Sequence, residues 1–133
     1  MKKYWVAIFI FVFAFSGHAQ KVESLRVETC SNPLGIENPH PSLSWIISDA
    51  RRNVIQEAYQ VQVASSLDKL FSGKADLWNS GKVKSNQSTY ISYNGTAMKS
   101  GLQCFWRVKV WTNKGETEWS PVSKWSMGLL SIS

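Results

Sequence analysis

Gln103-Cys104-Phe105-Trp106-Arg107-Val108-Lys109-Val110-Trp111-Thr112 decides the fold, because it alternates along its whole length. Cys104, Trp106, Val108 and Val110 share one face. Phe105, Arg107, Lys109 and Trp111 share the other. A period of two is the signature of a β-strand with one buried face. The first set reads as the inward face. Asn113-Lys114-Gly115 follows directly and is a tight hairpin signal.

Shorter stretches of the same kind lie on either side. Leu25, Val27 and Thr29 alternate with Arg26, Glu28 and Cys30. Ser42 to Ile47 puts Leu43 and Trp45 on one face. Tyr59, Val61 and Val63 alternate with Gln60 and Gln62. Leu77 to Val83 is a strand broken at Ser80-Gly81, Thr89 to Tyr93 precedes Asn94-Gly95, and Val122 to Met127 closes the series. Pro33, Pro39 and Pro41 keep the segment between the first two strands out of a central ladder. Leu67 to Phe71 reads as one helical turn. Seven short strands with regular turn signals predict an all-β, seven-strand antiparallel β-sandwich. Its expected core is Leu43, Trp45, Tyr59, Val61, Val63, Trp106, Val108 and Val110.

The first residues read differently. Lys2 and Lys3 precede an unbroken apolar run from Tyr4 to Phe15, then Gly17 and Ala19 at signal-peptidase spacing. Residues 1–19 are therefore expected to be a signal peptide cut between Ala19 and Gln20. The run is too short to span a bilayer, which takes about 20 apolar residues. Residues 20–133 are expected to form one exported domain, with a core over about 25–128, periplasmic or extracellular and without stable membrane insertion. A chain of 133 residues holds one such domain and no large catalytic barrel. The formal net charge of +6 is spread out, and beyond Lys2-Lys3 only Arg51-Arg52 are adjacent. Nucleic acid is not an expected partner, since it calls for a basic stripe or patch.

The order of signals resembles the fibronectin type III and immunoglobulin-like class. A narrower series is more specific: Asn32-Pro33-Leu34-Gly35-Ile36, Pro41-Ser42-Leu43-Ser44-Trp45, Ala58-Tyr59-Gln60-Val61-Gln62-Val63-Ala64, Asp76-Leu77-Trp78-Asn79-Ser80-Gly81, Phe105-Trp106-Arg107-Val108-Lys109-Val110-Trp111, Trp119-Ser120 and Met127-Gly128-Leu129-Leu130. It resembles the N-terminal β-sandwich module of bacterial α-L-rhamnosidases of glycoside hydrolase family 78. The resemblance implies a non-catalytic accessory module that spaces or orients a catalytic (α/α)6 barrel absent from this chain. It implies as partners the neighbouring domains of the parent hydrolase and rhamnose-containing polysaccharide. Ser131-Ile132-Ser133 matches no recognised motif, and both a truncated gene product and a free-standing module remain open. In the fibronectin pattern a corner Tyr stands where this chain has Cys104, so its backbone staple should be missing.

No catalytic residue is expected. Glu116 and Glu118 are the closest carboxylate pair, about 7 Å apart if both lie on one strand. Inverting hydrolysis needs such a pair, about 6.5–9.5 Å apart, across a cleft, and a hairpin edge offers none. His40 is the only histidine past the cleavage point, so neither a His-based metal site nor a triad is expected, and no cofactor. Two cysteines in an exported chain point to a Cys30–Cys104 disulfide, although the register turns one outward and the other inward. Three readings compete for the aromatics. One is a Trp/Arg ladder on the outer face, built from Trp111, Arg107, Lys109, Trp119 and Trp125. Another is a sugar platform of Trp78, Tyr93 and Trp111, the basis of the alternative function as a free-standing carbohydrate-binding module. The third is a patch that docks a neighbouring domain.

Overall fold

The computed structural model describes residues 20–130. The cleavage point's Ala19 and the tail 131–133 lie outside the described residues. Among the described residues nine strands and one short helix follow in order: β1 Lys21–Val27, β2 Ser42–Ser48, β3 Gln56–Ala64, α1 Leu67–Phe71, β4 Trp78–Asn79, β5 Val83–Lys84, β6 Ile91–Ser92, β7 Gln103–Thr112, β8 Gly115–Glu116 and β9 Ser123–Ser126. They form a three-stranded sheet, β1-β2-β6, and a six-stranded sheet in which β3 and β7 are central. All the strand pairs are antiparallel.

β4 and β5 both pair with β3, and β8 and β9 both pair with β7. Each couple is one edge track interrupted in the middle, so the seven expected strands correspond to seven tracks. The interruptions have a chemical cause. At the first, Ser80 N–H donates to the Val61 carbonyl (3.0 Å), but Val61 N–H donates to the Ser80 hydroxyl (2.8 Å) instead of a carbonyl. Gly81 takes φ +64° there and turns the chain away. On the other edge, the Val110 N–H bonds the Thr117 hydroxyl (3.0 Å) and the Val108 N–H bonds the Ser120 hydroxyl (2.9 Å). The central strands thus keep their donors satisfied while their neighbours leave the ladder.

The two sheets close on each other through their alternating faces. Val61 pairs with Val108, Val63 with Trp106 and Tyr59 with Val110. Opposite them stand Val22, Leu25, Val27, Leu43, Trp45 and Ile91. All eight expected core residues are buried in this cluster. Trp45 crosses the core to Tyr59, with ring centroids 5.2 Å apart, and its indole N–H donates to Gln56 Oε1 at 3.0 Å. Gln56 in turn donates to the Ser85 and Gln87 carbonyls, so this buried amide ties the core to the β5–β6 loop. A second aromatic file runs Trp78–Tyr93–Trp125–Trp106, with edge-to-face contacts at 5.4, 6.1 and 6.1 Å. That geometry suits the ring quadrupoles.

The strand bounds depart furthest from expectation at β1 and β6. β1 begins at Lys21 and ends at Val27, with a bulge at Ser24 (φ +53°) that restores the inward register for Leu25 and Val27. Glu28 and Thr29 both take positive φ, and Cys30 bridges back to Val27, so Thr29 and Cys30 belong to a turn. In the other case only Ile91–Ser92 of the expected 89–93 segment is strand, because Tyr90 sits at φ +55°.

Candidate functional site

The outer face of β3 and β7 carries the ladder. Arg107 is fixed on three sides. Its Nε and Nη2 donate to Gln62 Oε1 (3.1 and 2.9 Å), Nη2 also reaches the Leu70 carbonyl (3.2 Å), and its guanidinium lies 4.4 Å from the Trp119 ring centroid. Phe71 of α1 lies beyond, at 5.7 Å. Lys109 sits between Trp111 (5.6 Å) and Trp119 (5.7 Å), and Lys82 covers Trp111 at 4.7 Å. Cations stacked on exposed indoles contribute about 0.5–1 kcal/mol each. Trp125 is not part of the ladder. It pairs with Cys104, shares that residue's inward face and is 1% exposed.

Glu116 closes the ladder at its far end, ion-paired to Lys109 and accepting the Trp111 indole N–H at 3.2 Å. The hydrogen bond from Lys109 and its charge hold the Glu116 carboxyl below the usual range. A carboxylate held ionised in this way suits neither the acid nor the poised base of glycoside hydrolysis. Glu118 lies beyond the end of β8, so the two do not share a strand. His40 Nδ1 lies 2.9 Å from the Tyr93 carbonyl, on the exposed β1–β2 connection. Among the described residues no group of three His, Cys, Asp or Glu is placed to hold a metal ion.

The platform of Trp78, Tyr93 and Trp111 does not form. Trp78 pairs with Val63 and packs half-buried against the core, and Tyr93 is fully buried. Trp111 lies across the sheet on the opposite surface. Tyr93 instead takes the role that Cys104 cannot. Its hydroxyl lies 3.1 Å from the Leu77 carbonyl and 2.6 Å from the Thr96 carbonyl. One phenol therefore pins two loops, and burial pushes its pKa up. The backbone staple exists, supplied from the segment after β6.

The Cys30–Cys104 disulfide does not form either. Both thiols are free, Cys30 exposed in the turn after β1 and Cys104 buried in β7. Cys104 Sγ lies 3.7 Å from Met98 Sδ, and burial pushes its thiol pKa up to about 12. A thiol reagent at pH 8 should therefore label one cysteine, Cys30, in the folded protein and both after denaturation. Labelling of Cys104 at the same rate as Cys30 without denaturant would contradict this placement. Of the cleavage pair, only Gln20 is described. Its side-chain amide donates to the Gly115 carbonyl (3.1 Å), and the Thr112 hydroxyl bonds its Oε1.

Two antiparallel sheets over one aromatic core, with cations stacked on indoles along the outer face, define an immunoglobulin-like β-sandwich. Residues 22–131 match the family described as Rha78A-like, N-terminal immunoglobulin domain, and the chain belongs to that family. An alpha-L-rhamnosidase of Formosa agariphila is 45% identical over 104 residues, which are 77% of this chain and 11% of that protein. The crystal structure of the Streptomyces avermitilis alpha-L-rhamnosidase complexed with L-rhamnose matches with a TM-score of 0.78 at 42% identity, over 83% of this chain and 11% of that one. The alpha-L-rhamnosidase from Dictyoglumus thermophilum matches with a TM-score of 0.78 at 34% identity, over 82% and 12%. The chain thus spans about 11% of the length of these curated relatives, as their N-terminal immunoglobulin domain. The catalytic part of such an enzyme is not among these residues.

Proposed function

We propose that the chain serves as the non-catalytic N-terminal module of an exported α-L-rhamnosidase. Its role there is to support and orient the domains that act on rhamnose-containing polysaccharide. The observation that carries this is the match of nearly the whole described chain to one N-terminal domain of much longer enzymes. The basic n-region, the apolar run and Gly17/Ala19 support export, with Gln20 as the first mature residue. Among the described residues no helix is long and apolar enough to cross a membrane.

A domain graft tests the proposal. In the Streptomyces avermitilis enzyme, deletion of the matching domain should lower the melting temperature of the remainder. Insertion of residues 22–131 of this chain in its place should restore both stability and hydrolysis of an aryl α-L-rhamnoside. The purified chain alone should release no aryl group. Full stability of the deleted enzyme, or hydrolysis by the chain alone, would overturn the proposal.

A further inference from the structure

The two sheets do not meet along the whole of one side. Where β4 and β5 break apart and β6 is only two residues long, a cavity of about 370 Å³ opens to solvent. Trp78 and Tyr59 line it from the larger sheet. Tyr90, Ser92 and Asn94 line it from the smaller one, with Gln87 beside them. No charged side chain is among the lining residues.

Three features single this cavity out. First, its chemistry is aromatic faces combined with neutral amides and hydroxyls. The side chains of Ser92 and Asn94 and the hydroxyls of Tyr59 and Tyr90 make no hydrogen bond to another described residue. Second, the walls are fixed in advance. Trp78 is held edge-to-face against Tyr93 at 5.4 Å. The loop before Tyr90 is tied by Gln56 to the Ser85 and Gln87 carbonyls and by Gln87 Nε2 to the Thr89 carbonyl. Third, Tyr90 is 76% exposed and held at φ +55°, a conformation that costs a non-glycine residue about 1–2 kcal/mol. Strain of this kind at an exposed aromatic on a cavity rim is a feature of ligand clamps.

A lining without charge disfavours phosphates, carboxylates and cations, each of which would lose its hydration without a counter-charge. A neutral polyol with one apolar ring face meets both parts of the lining. The volume lies within the ordinary range for small-molecule sites, about 300–1,000 Å³. We propose that this cavity binds a neutral pyranose, one or two rings of a glycan, with a ring face on Tyr90 or Trp78 and hydroxyls on Ser92, Asn94 and Gln87. The site is separate from the ladder and does not depend on the accessory role proposed above.

The test is an NMR titration of the full chain with methyl α-L-rhamnoside, methyl α-D-glucoside and methyl α-D-mannoside, each to about 50 mM, well above a millimolar Kd. At least one should give saturable shifts of the Trp78 indole N–H and of backbone amides in 87–94. Tyr90→Ala should weaken binding at least about tenfold, and Tyr90→Gly should do the same without lowering the melting temperature, because glycine relieves the positive φ. Ser92→Ala, on an exposed strand position, gives a second weakening variant that leaves the turn intact. The proposal is overturned if no glycoside gives saturable shifts, if the shifts centre on Trp111 and Trp119, or if the Tyr90 and Ser92 variants bind like the wild type.

Discussion

Trp106→Ala is expected to destabilise the domain by about 3–5 kcal/mol, as measured by urea unfolding of the intact chain. The indole is fully buried, pairs with Val63 across β3–β7 and ends the aromatic file through Trp125 at 6.1 Å. Truncation removes apolar area and leaves a cavity that the β3 and β7 backbones cannot close. A loss of that size is a large share of the stability of an ordinary domain, about 5–15 kcal/mol. The indole N–H sharpens the expectation, since it is a buried donor with no hydrogen-bond partner among the described residues. Trp106→Phe discards that orphan together with part of the ring. Trp45→Phe instead strands the buried Gln56 Oε1 that accepted the Trp45 N–H. An unsatisfied buried polar atom costs about 1–3 kcal/mol. Phenylalanine should therefore be tolerated better at position 106 than at position 45. A Trp106→Ala variant within about 1 kcal/mol of wild type would remove this residue from the core.

Gly95→Ala is the second large effect, expected at about 2–4 kcal/mol from overpacking and lost hydrogen bonds. Gly95 has an ordinary negative-side backbone, so dihedral strain is not the reason. A Cβ at this position would lie 2.6 Å from the Tyr93 hydroxyl and closer still to the Leu77 carbonyl oxygen. Those are the donor and one of the two acceptors of the phenol pin. The methyl group would push apart the loops that Tyr93 holds together, and the Leu77 carbonyl is backbone that cannot swing away. Differential scanning calorimetry should show a melting temperature lower by roughly 8 °C or more. Unchanged melting would mean that the segment around 93–96 gives way easily, and the pin would lose its importance.

The sandwich and its centre were legible because β7 alternates along its whole length and β3 alternates in sequence from Tyr59 to Val63. What the sequence concealed lies where alternation stops. Tyr93 closes the expected 89–93 strand, of which only Ile91–Ser92 forms, and it was counted among the platform aromatics although it is fully buried. Its burial follows from the loop geometry around Gly95 and Thr96. Trp125 was misplaced because β9 is only four residues long and its face is set by pairing with Cys104. The ladder was legible because Arg107, Lys109 and Trp111 share one face of a single long strand. Its closing partners Phe71, Lys82 and Glu116 come from other elements, and no local pattern links them. The cavity beside β6 was invisible for a related reason. It exists where two tracks are short or broken, and a gap between elements leaves no periodic mark.

The hydroxyls of Ser80, Thr117 and Ser120 have one more consequence. A sheet margin with a continuous row of free amides and carbonyls is a template on which another chain can add a strand. Both margins of the larger sheet lack such a row, because side-chain oxygens take the central donors and the outer chain turns away after two to four residues. The larger sheet therefore offers an arriving β-strand no long ladder to extend at either margin, and neither margin seeds edge-to-edge growth.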